Sequence, residues 1–197
     1  MINYTKRLDD AIRQSAWAHE QQNQHRKGTD IPYIIHPFGA MIIASNFTDD
    51  EDILIACLLH DTLEDVHSTI YSESDIESEF GEKVLSITKD VTKDKKLCNW
   101  HEQSKAYLLH LENKACDEAI IVSAADKMHN LSSILFDYTK CGDDLWQRFY
   151  TKSADDQLWW YKSVLDVVVK RNNIVELNEE FTRLVSELSN LLTKNKH

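Results

Sequence analysis

Glycine and proline are scarce in this sequence, with four and two residues among 197. A β-rich or α/β protein of this length needs more of both, because many tight turns depend on them. No segment shows the alternation of apolar and polar residues that marks a half-buried strand. Since 42% of the residues are hydrophobic, a substantial core is available. The sequence therefore predicts an all-α fold.

Long apolar runs and closely spaced cysteines are also missing. No run approaches the roughly 20 residues of a membrane helix, and the start, MINYTKRLDD, lacks the apolar stretch of a signal peptide. The four cysteines are widely spaced and include no CxxC pair. We therefore expect a soluble, cytoplasmic protein that has no disulfide bonds.

Positive charge is a further shortage, because the net charge is −11. Binding to nucleic acid or to an anionic membrane requires a broad basic surface. Neither is therefore an expected partner. A small phosphate-bearing ligand needs only a local basic pocket, so this class of partner stays open.

Helical periodicity recurs along the whole chain. The predicted helices cover 5–24, about nine residues from Pro37, 49–65, 72–81, 82–92, 101–113, 117–136, 153–171 and 174–192. The last segment is amphipathic and could dock on the domain or on a second subunit. A homo-oligomer is therefore possible.

A histidine and three carboxylates follow the apolar run ILIACLL in the motif HDTLED, residues 60–65. Carboxylates are rarely buried unless they are paired or bind a metal ion. His36 precedes Pro37 at another helix boundary, and Asp126 lies in the motif ADKMHN. Together with His60 and Asp61, they offer two imidazoles and two carboxylates to one divalent ion. Mixed nitrogen and oxygen ligands suit manganese, iron or zinc.

Glu64 and Asp65 share a helix face with His60 and Asp61, because residues four apart lie on the same side of a helix. A divalent ion can polarise a phosphoryl oxygen and generate hydroxide near neutral pH. Glu64 and Asp65 would then orient or deprotonate the water. The alternative is an ordinary polar helix end, because an HD dipeptide alone is a weak signal.

Four motifs in this order carry a resemblance: AHEQQNQHRKGTDIPYIIHP, ACLLHDTLEDV, FGEKVLSITKDVTK and VSAADKMHNL. Over roughly residues 5–170 the chain resembles the HD-domain metal-dependent phosphohydrolases. Within them it is similar to the RelA/SpoT hydrolase domains and the small alarmone hydrolases. The resemblance implies a bundle of eight to ten helices. We assign residues 1–172 to the HD domain and residues 173–197 to a C-terminal amphipathic helical extension.

The resemblance also implies a set of site residues. One Mn²⁺ would be held by His36, His60, Asp61 and Asp126, with Glu64 and Asp65 acting on the nucleophilic water. Arg26 and Lys27 match a basic pair that binds the base and phosphates of a guanine nucleotide. Asn130 matches a residue of the substrate pocket. The implied reaction is hydrolysis of the 3′-pyrophosphate of (p)ppGpp, the alarmone of the stringent response, to GDP or GTP and pyrophosphate.

Two positions depart from the alarmone hydrolases. Ser123 stands where they usually carry a lysine, and Ser132 stands where they usually carry an arginine. Five lysines are candidates to replace this charge, namely Lys93, Lys95, Lys96, Lys105 and Lys127. We assign Lys105 to substrate binding and expect the lysines at 93, 95 and 96 to face solvent.

The two departures keep other functions open. One is a phosphomonoesterase that acts on nucleotides or NADPH, since some stand-alone relatives remove the 2′-phosphate of NADPH. The other is a non-catalytic regulatory module that only binds a nucleotide. Glu64 and Asp65 argue against this module, because a purely structural metal site has no need of them.

Overall fold

The computed structural model describes residues 3–194, which form ten α-helices and one 3₁₀ helix. The α-helices are α1 (Lys6–Glu20), α2 (Ile35–Ala44), α3 (Glu51–Leu59), α4 (Thr62–Asp65), α5 (Glu73–Phe80), α6 (Glu82–Asp90), α7 (Trp100–Asn113), α8 (Asp117–Cys141), α9 (Ala154–Arg171) and α10 (Val175–Lys194). Within this part of the chain, β pairing is limited to one isolated bridge between His25 and Pro32. The prediction of an all-α bundle is confirmed.

Two helices form the centre of the bundle. In α3 every residue from Ile53 to Leu59 is buried, and α8 buries most of its first half. Helix α2 packs against both of them. Helices α1 and α6 cover α3 from outside, and α9 and α10 cover α8. This packing brings the amino-terminal half of α2, the end of α3 and the middle of α8 to one place.

The helix predicted over 49–65 is interrupted, which corrects the sequence analysis. Helix α3 ends at Leu59, and the single turn α4 begins at Thr62. The hydroxyl of Thr62 donates to the carbonyl oxygen of Leu59 at 2.6 Å, and such local side-chain bonds compete with the helical ladder. His60 and Asp61 therefore lie in the connection between two helices, at the end of a fully buried one.

Several smaller features agree with the sequence, and one was missed. Ser72 and Asp75 form the capping box at the start of α5, and Gly81, with φ of +92°, ends this helix. Helix α8 extends five residues beyond the predicted end. It is followed by a 3₁₀ helix, Gly142–Arg148, that the sequence analysis did not predict.

The last helix, α10, packs on its own chain. It buries an apolar stripe against α8 and α9, made of Leu177, Phe181, Leu184, Val185, Leu188 and Leu192. The division at residue 172 stays a prediction, and its outer limits, residues 1–2 and 195–197, lie outside the described residues. Among residues 3–194, no helix has both the length and the apolar composition that a membrane span requires.

Candidate metal centre and substrate cavity

Four side chains from α2, the α3–α4 connection and α8 meet at the centre of the bundle. His36 Nε2 and His60 Nε2 lie 3.1 Å apart. Asp61 Oδ2 lies 3.4 Å from His36 Nε2 and 3.1 Å from His60 Nε2. Asp126 Oδ1 lies 3.3 Å and 3.8 Å from the same two atoms. The four residues predicted as metal ligands are therefore brought together.

The spacing of these atoms fits a divalent cation. Ligand atoms at about 2.0–2.2 Å from an ion lie about 3 Å from their neighbours in its coordination shell. His36, His60 and Asp126 are buried and form a group with metal-ligating geometry. Asp61 is slightly more exposed and faces both histidines.

The electrostatics of the cluster also fit a cation. Burial alone would lower the pKa of His60, but the carboxylates of Asp61 and Asp126 raise it to about 9. For Asp126, burial acts to raise the pKa, but Lys127, His36 and His60 hold it well below its usual range. Two buried carboxylates thus create a strongly negative field between the imidazoles, and a positive charge placed there is stabilised.

Hydrogen bonds behind the two histidines fix their orientation. His60 Nδ1 lies 2.7 Å from the carbonyl oxygen of Cys57, so its Nδ1 carries the proton and Nε2 faces the cluster. His36 Nδ1 lies 2.9 Å from His129 Nδ1. His129 thus contacts His36 on the side that faces away from the cluster.

The ring of His129 lies directly on the backbone of α2. A Cβ atom built on Gly39 would fall well inside van der Waals contact with Cδ2 and Nε2 of His129. Burial, together with the charges of His36 and Arg26, lowers the pKa of His129 to about 3. A neutral imidazole is therefore wedged between Gly39 and His36.

Tyr33 is a site residue that the sequence analysis missed. Its hydroxyl donates to Asp61 Oδ2 at 2.7 Å and lies 3.4 Å from Asp65 Oδ2. Its ring packs against His19, with 4.6 Å between the ring centroids. A tyrosine three residues before His36 was the available signal, but its contact with Asp61 depends on the path of the α1–α2 loop.

Replacing Tyr33 by Phe is expected to lower kcat about fivefold to tenfold, because a hydrogen bond to a charged group contributes about 1.5–3 kcal/mol and water replaces part of it. The bulk of the ring stays, so the fold should be kept. Steady-state kinetics of Y33F and of Y4F, whose hydroxyl is on the exposed side of α1, would check this. Equal kcat values for the two variants would show that Tyr33 does not orient Asp61 or Asp65.

Glu64 and Asp65 lie beside the cluster and line the same cavity. The backbone N–H of Lys93 donates to Glu64 Oε2 at 3.2 Å. Lys95 Nζ donates to Asp65 Oδ1 at 2.8 Å. Burial raises the pKa of Glu64, and the charges of Asp61 and Asp65 raise it further. The loop between α6 and α7 therefore holds both carboxylates in place.

The cluster opens into a cavity of about 660 Å³. Arg26, Lys27 and Asn130 line it, as the sequence predicted for residues that bind substrate. Arg26 Nη2 donates to Asn130 Oδ1 at 2.7 Å, and Asn130 Nδ2 donates to Asp126 Oδ1 at 2.6 Å. Further basic residues on the cavity wall are Lys93, Lys95, Lys127, Lys140 and Arg148. In a chain with a net charge of −11, this wall is a local basic surface.

Lys105 does not belong to this site, which corrects the prediction. It is exposed on α7 and is not part of the cavity wall. Helical spacing explains its position, because Ser104 and Tyr107 occupy the buried face of α7. A lysine between them points outward.

The two departures from the alarmone hydrolases have different surroundings. Ser123 is buried and accepts a hydrogen bond from the hydroxyl of Tyr107 at 2.8 Å. Ser132 is exposed on α8, donates to the carbonyl oxygen of Met128 and does not line the cavity. The lysine that is missing at position 123 would therefore lie in the interior, and the arginine that is missing at position 132 would lie on the outer surface.

The fold is a helical bundle, and its centre brings together two histidines and two aspartates that could hold a metal ion. These two features together define the class of protein. Residues 14–149 match the HD-domain family. The chain belongs to the HD-domain family of phosphohydrolases, and it is therefore an enzyme of this class. The resemblance seen in the four sequence motifs is confirmed.

Curated relatives place the chain near alarmone hydrolases. It is 32% identical over 162 residues to a Xenopus tropicalis protein named guanosine-3′,5′-bis(diphosphate) 3′-pyrophosphohydrolase MESH1, covering 81% of this chain and 84% of the relative. It is 32% identical over 135 residues to an Aquifex aeolicus guanosine-3′,5′-bis(diphosphate) 3′-pyrophosphohydrolase, covering 68% of this chain but only 19% of that longer protein.

Solved structures share the fold. A metazoan ortholog of SpoT, described as hydrolysing ppGpp, superposes with a TM-score of 0.74 at 24% identity and covers 95% of this chain and 98% of that one. A protein from Listeria monocytogenes superposes with a TM-score of 0.66 at 26% identity and covers 76% and 96% of the two chains. The architecture thus extends to proteins of distant sequence.

Proposed function

We propose that this protein hydrolyses the 3′-pyrophosphate of (p)ppGpp or a related nucleotide, releasing pyrophosphate and GDP or GTP, with Mn²⁺ as its cofactor. The observation that carries the proposal is the cluster of His36, His60, Asp61 and Asp126 at the base of a basic cavity. The relatives named as ppGpp pyrophosphohydrolases support the choice of nucleotide.

The four clustered side chains would hold the ion. When bound there, a divalent cation supplies Lewis acidity, which polarises a phosphoryl oxygen and makes a water molecule a better nucleophile. Manganese suits two imidazoles and two carboxylates, although iron and zinc share this preference.

The protein's own groups would orient the water and move its proton. Glu64 lies in the cavity with a raised pKa, so its carboxylate can accept a proton near neutral pH. Asp65 is fixed by Lys95 and Tyr33 and would orient the same water. Water that attacks the phosphorus attached to the 3′-oxygen can displace either of two groups. Cleavage of the bond between this phosphorus and the 3′-oxygen releases intact pyrophosphate and the 3′-hydroxyl. Cleavage of the P–O–P bridge would instead release orthophosphate.

The rest of the cavity would bind the nucleotide. Arg26 and Lys27 stand at the wall with Asn130, which connects Arg26 to Asp126. Positive groups in a partly enclosed cavity concentrate an anionic substrate near the reacting atoms.

A panel assay tests the proposal. Metal-stripped protein, with and without added Mn²⁺, would be incubated with ppGpp, pppGpp, NADPH and common nucleotides, and the products would be resolved. We expect GDP and pyrophosphate from ppGpp only when Mn²⁺ is present. A protein that binds ppGpp but never converts it would instead support a non-catalytic nucleotide-binding module.

A second enzymatic function has one observation in its favour. Position 123 carries an uncharged serine bonded to Tyr107, so the interior lacks one positive group that the alarmone hydrolases usually have there. A phosphomonoesterase for nucleotides or NADPH requires fewer such groups. Release of orthophosphate from the panel, with ppGpp left intact, would establish this function.

We also propose a cytoplasmic location. All four cysteines are free, and Cys57 is fully buried. Free thiols are typical of a reducing compartment. A homo-oligomer stays a prediction, which sedimentation at several protein concentrations would test.

A further inference from the structure

The loop between α6 and α7 places Lys93 in the candidate substrate cavity, although the sequence analysis expected this lysine to face solvent. The residue is half-buried and lines the cavity wall. Its ammonium group lies 4.0 Å from the ring centroid of Trp160. It also lies 5.8 Å from the ring of Trp100 and 5.9 Å from the ring of Tyr107. These three rings, which come from α7 and α9, form an aromatic cage around Lys93 Nζ.

The ammonium group of Lys93 contacts aromatic rings, whereas the ammonium groups of two nearby lysines pair with carboxylates. Lys95 pairs with Asp65, and Lys127 pairs with Asp126. Over residues 3–194, Lys93 Nζ forms no ion pair with a carboxylate. Aromatic faces stabilise a cation but carry no negative charge of their own. In the described part of the chain, Lys93 Nζ is therefore not paired with a carboxylate at ion-pair distance, and an anionic ligand can take that place.

The surroundings of Lys93 favour an anion beside it. Lys127 Nζ lies 5.5 Å from both the Tyr107 and the Trp160 rings, so two ammonium groups share these rings. Burial and the charge of Lys127 together lower the pKa of Lys93 to about 8, although the carboxylates of Glu64 and Asp126 act in the opposite direction. An anionic ligand group that binds beside Lys93 offsets both the desolvation of its ammonium group and the repulsion from Lys127.

The backbone of Lys93 ties this cation to the candidate catalytic pair. Its N–H donates to Glu64 Oε2 at 3.2 Å. The same residue thus contacts Glu64 through its main chain and reaches the cage with its side chain. A phosphate bound by Lys93 would lie on the same side of the cavity as Glu64.

We propose that Lys93, held by the cage of Trp100, Tyr107 and Trp160, is a substrate-binding residue that recognises the diphosphate group to be released. This inference rests on the proposed function, because it takes a diphosphate as the ligand. It assigns specificity for a diphosphate over a monophosphate to a lysine of the α6–α7 loop.

Binding of inorganic pyrophosphate tests this role without turnover. Calorimetric titrations would compare wild type, Lys93→Met and Lys93→Gln in one buffer containing Mn²⁺. Methionine keeps the length of the side chain and packs well on aromatic rings. Lys96→Met is the matched control, because Lys96 is exposed in the same loop and does not line the cavity.

We expect Lys93→Met and Lys93→Gln to bind pyrophosphate about tenfold more weakly or worse, since both lose the positively charged donor. Lys96→Met should stay within about twofold of wild type. Lys93→Arg should recover most of the affinity. Inorganic phosphate should bind more weakly than pyrophosphate to wild type and respond less to the loss of Lys93.

Two outcomes would overturn the inference: wild type that does not bind pyrophosphate, or Lys93 variants that bind it as well as Lys96→Met does. Kinetics with ppGpp separate the inference from the proposed function. If Lys93-dependent pyrophosphate binding is found but ppGpp is not hydrolysed, the proposed function fails alone. If ppGpp is hydrolysed and Lys93→Met leaves KM unchanged, the inference fails alone.

Discussion

Replacing Glu64 by Gln is expected to lower kcat by about 10²–10⁴-fold, the usual contribution of a positioned general base. Gln has nearly the same shape, and its side-chain oxygen can still accept the N–H of Lys93. The amide cannot take a proton from water. Because Glu64 is not one of the four clustered ligand residues, the affinity for Mn²⁺ should stay close to that of wild type.

Steady-state kinetics with ppGpp and calorimetric titration with Mn²⁺ would measure the two effects separately. Glu82→Gln provides the matched control, since Glu82 is exposed at the start of α6. It removes the same charge from the same protein without touching the cavity. Turnover by E64Q within about threefold of the control would refute the assignment of Glu64 as the base.

The four clustered residues could be predicted from the sequence as candidate metal ligands because their chemistry is local. His60 and Asp61 follow an uninterrupted apolar run, and a carboxylate in such a place needs a partner. His36 and Asp126 lie within motifs that share this pattern. Burial of α3 on every side then forces its carboxyl end into the centre of the bundle, where the four side chains meet.

The missed features depend on contacts between distant segments. Lys93 looks like one of several lysines in a polar loop until α7 and α9 place three rings around it. Tyr33 reaches Asp61 only because of the path of the α1–α2 loop. The opposite holds for Lys105, because its charge suits a phosphate ligand but the buried face of α7 is formed by Ser104, Tyr107 and Leu111.

Gly39 is the clearest example of a residue whose role depends on a contact with a distant segment. A glycine inside a helix normally destabilises it by about 1 kcal/mol relative to alanine, and the sequence gives no reason for one in α2. In the fold, the backbone at Gly39 lies against the ring of His129, which in turn contacts His36. The small residue therefore makes room for the side chain that supports a candidate ligand.

Replacing Gly39 by Ala is therefore expected to destabilise the protein by about 1–3 kcal/mol, the usual cost of overpacking, despite the better helix propensity of alanine. The new Cβ displaces the ring of His129, and His36 loses its supporting contact. Loss of such a partner typically weakens metal affinity about 10–100-fold. Urea unfolding of metal-free protein and calorimetric titration with Mn²⁺ would measure the two effects.

A second comparison in the His129→Ala background tests the cause, because this variant lacks the ring with which the new methyl group would overlap. In that background Gly39→Ala should stabilise the protein by up to about 1 kcal/mol, since only the helix propensity remains. The sign of the effect thus reverses between the two backgrounds. If Gly39→Ala had the same effect in both, contact with His129 would not be the reason for a glycine at this position.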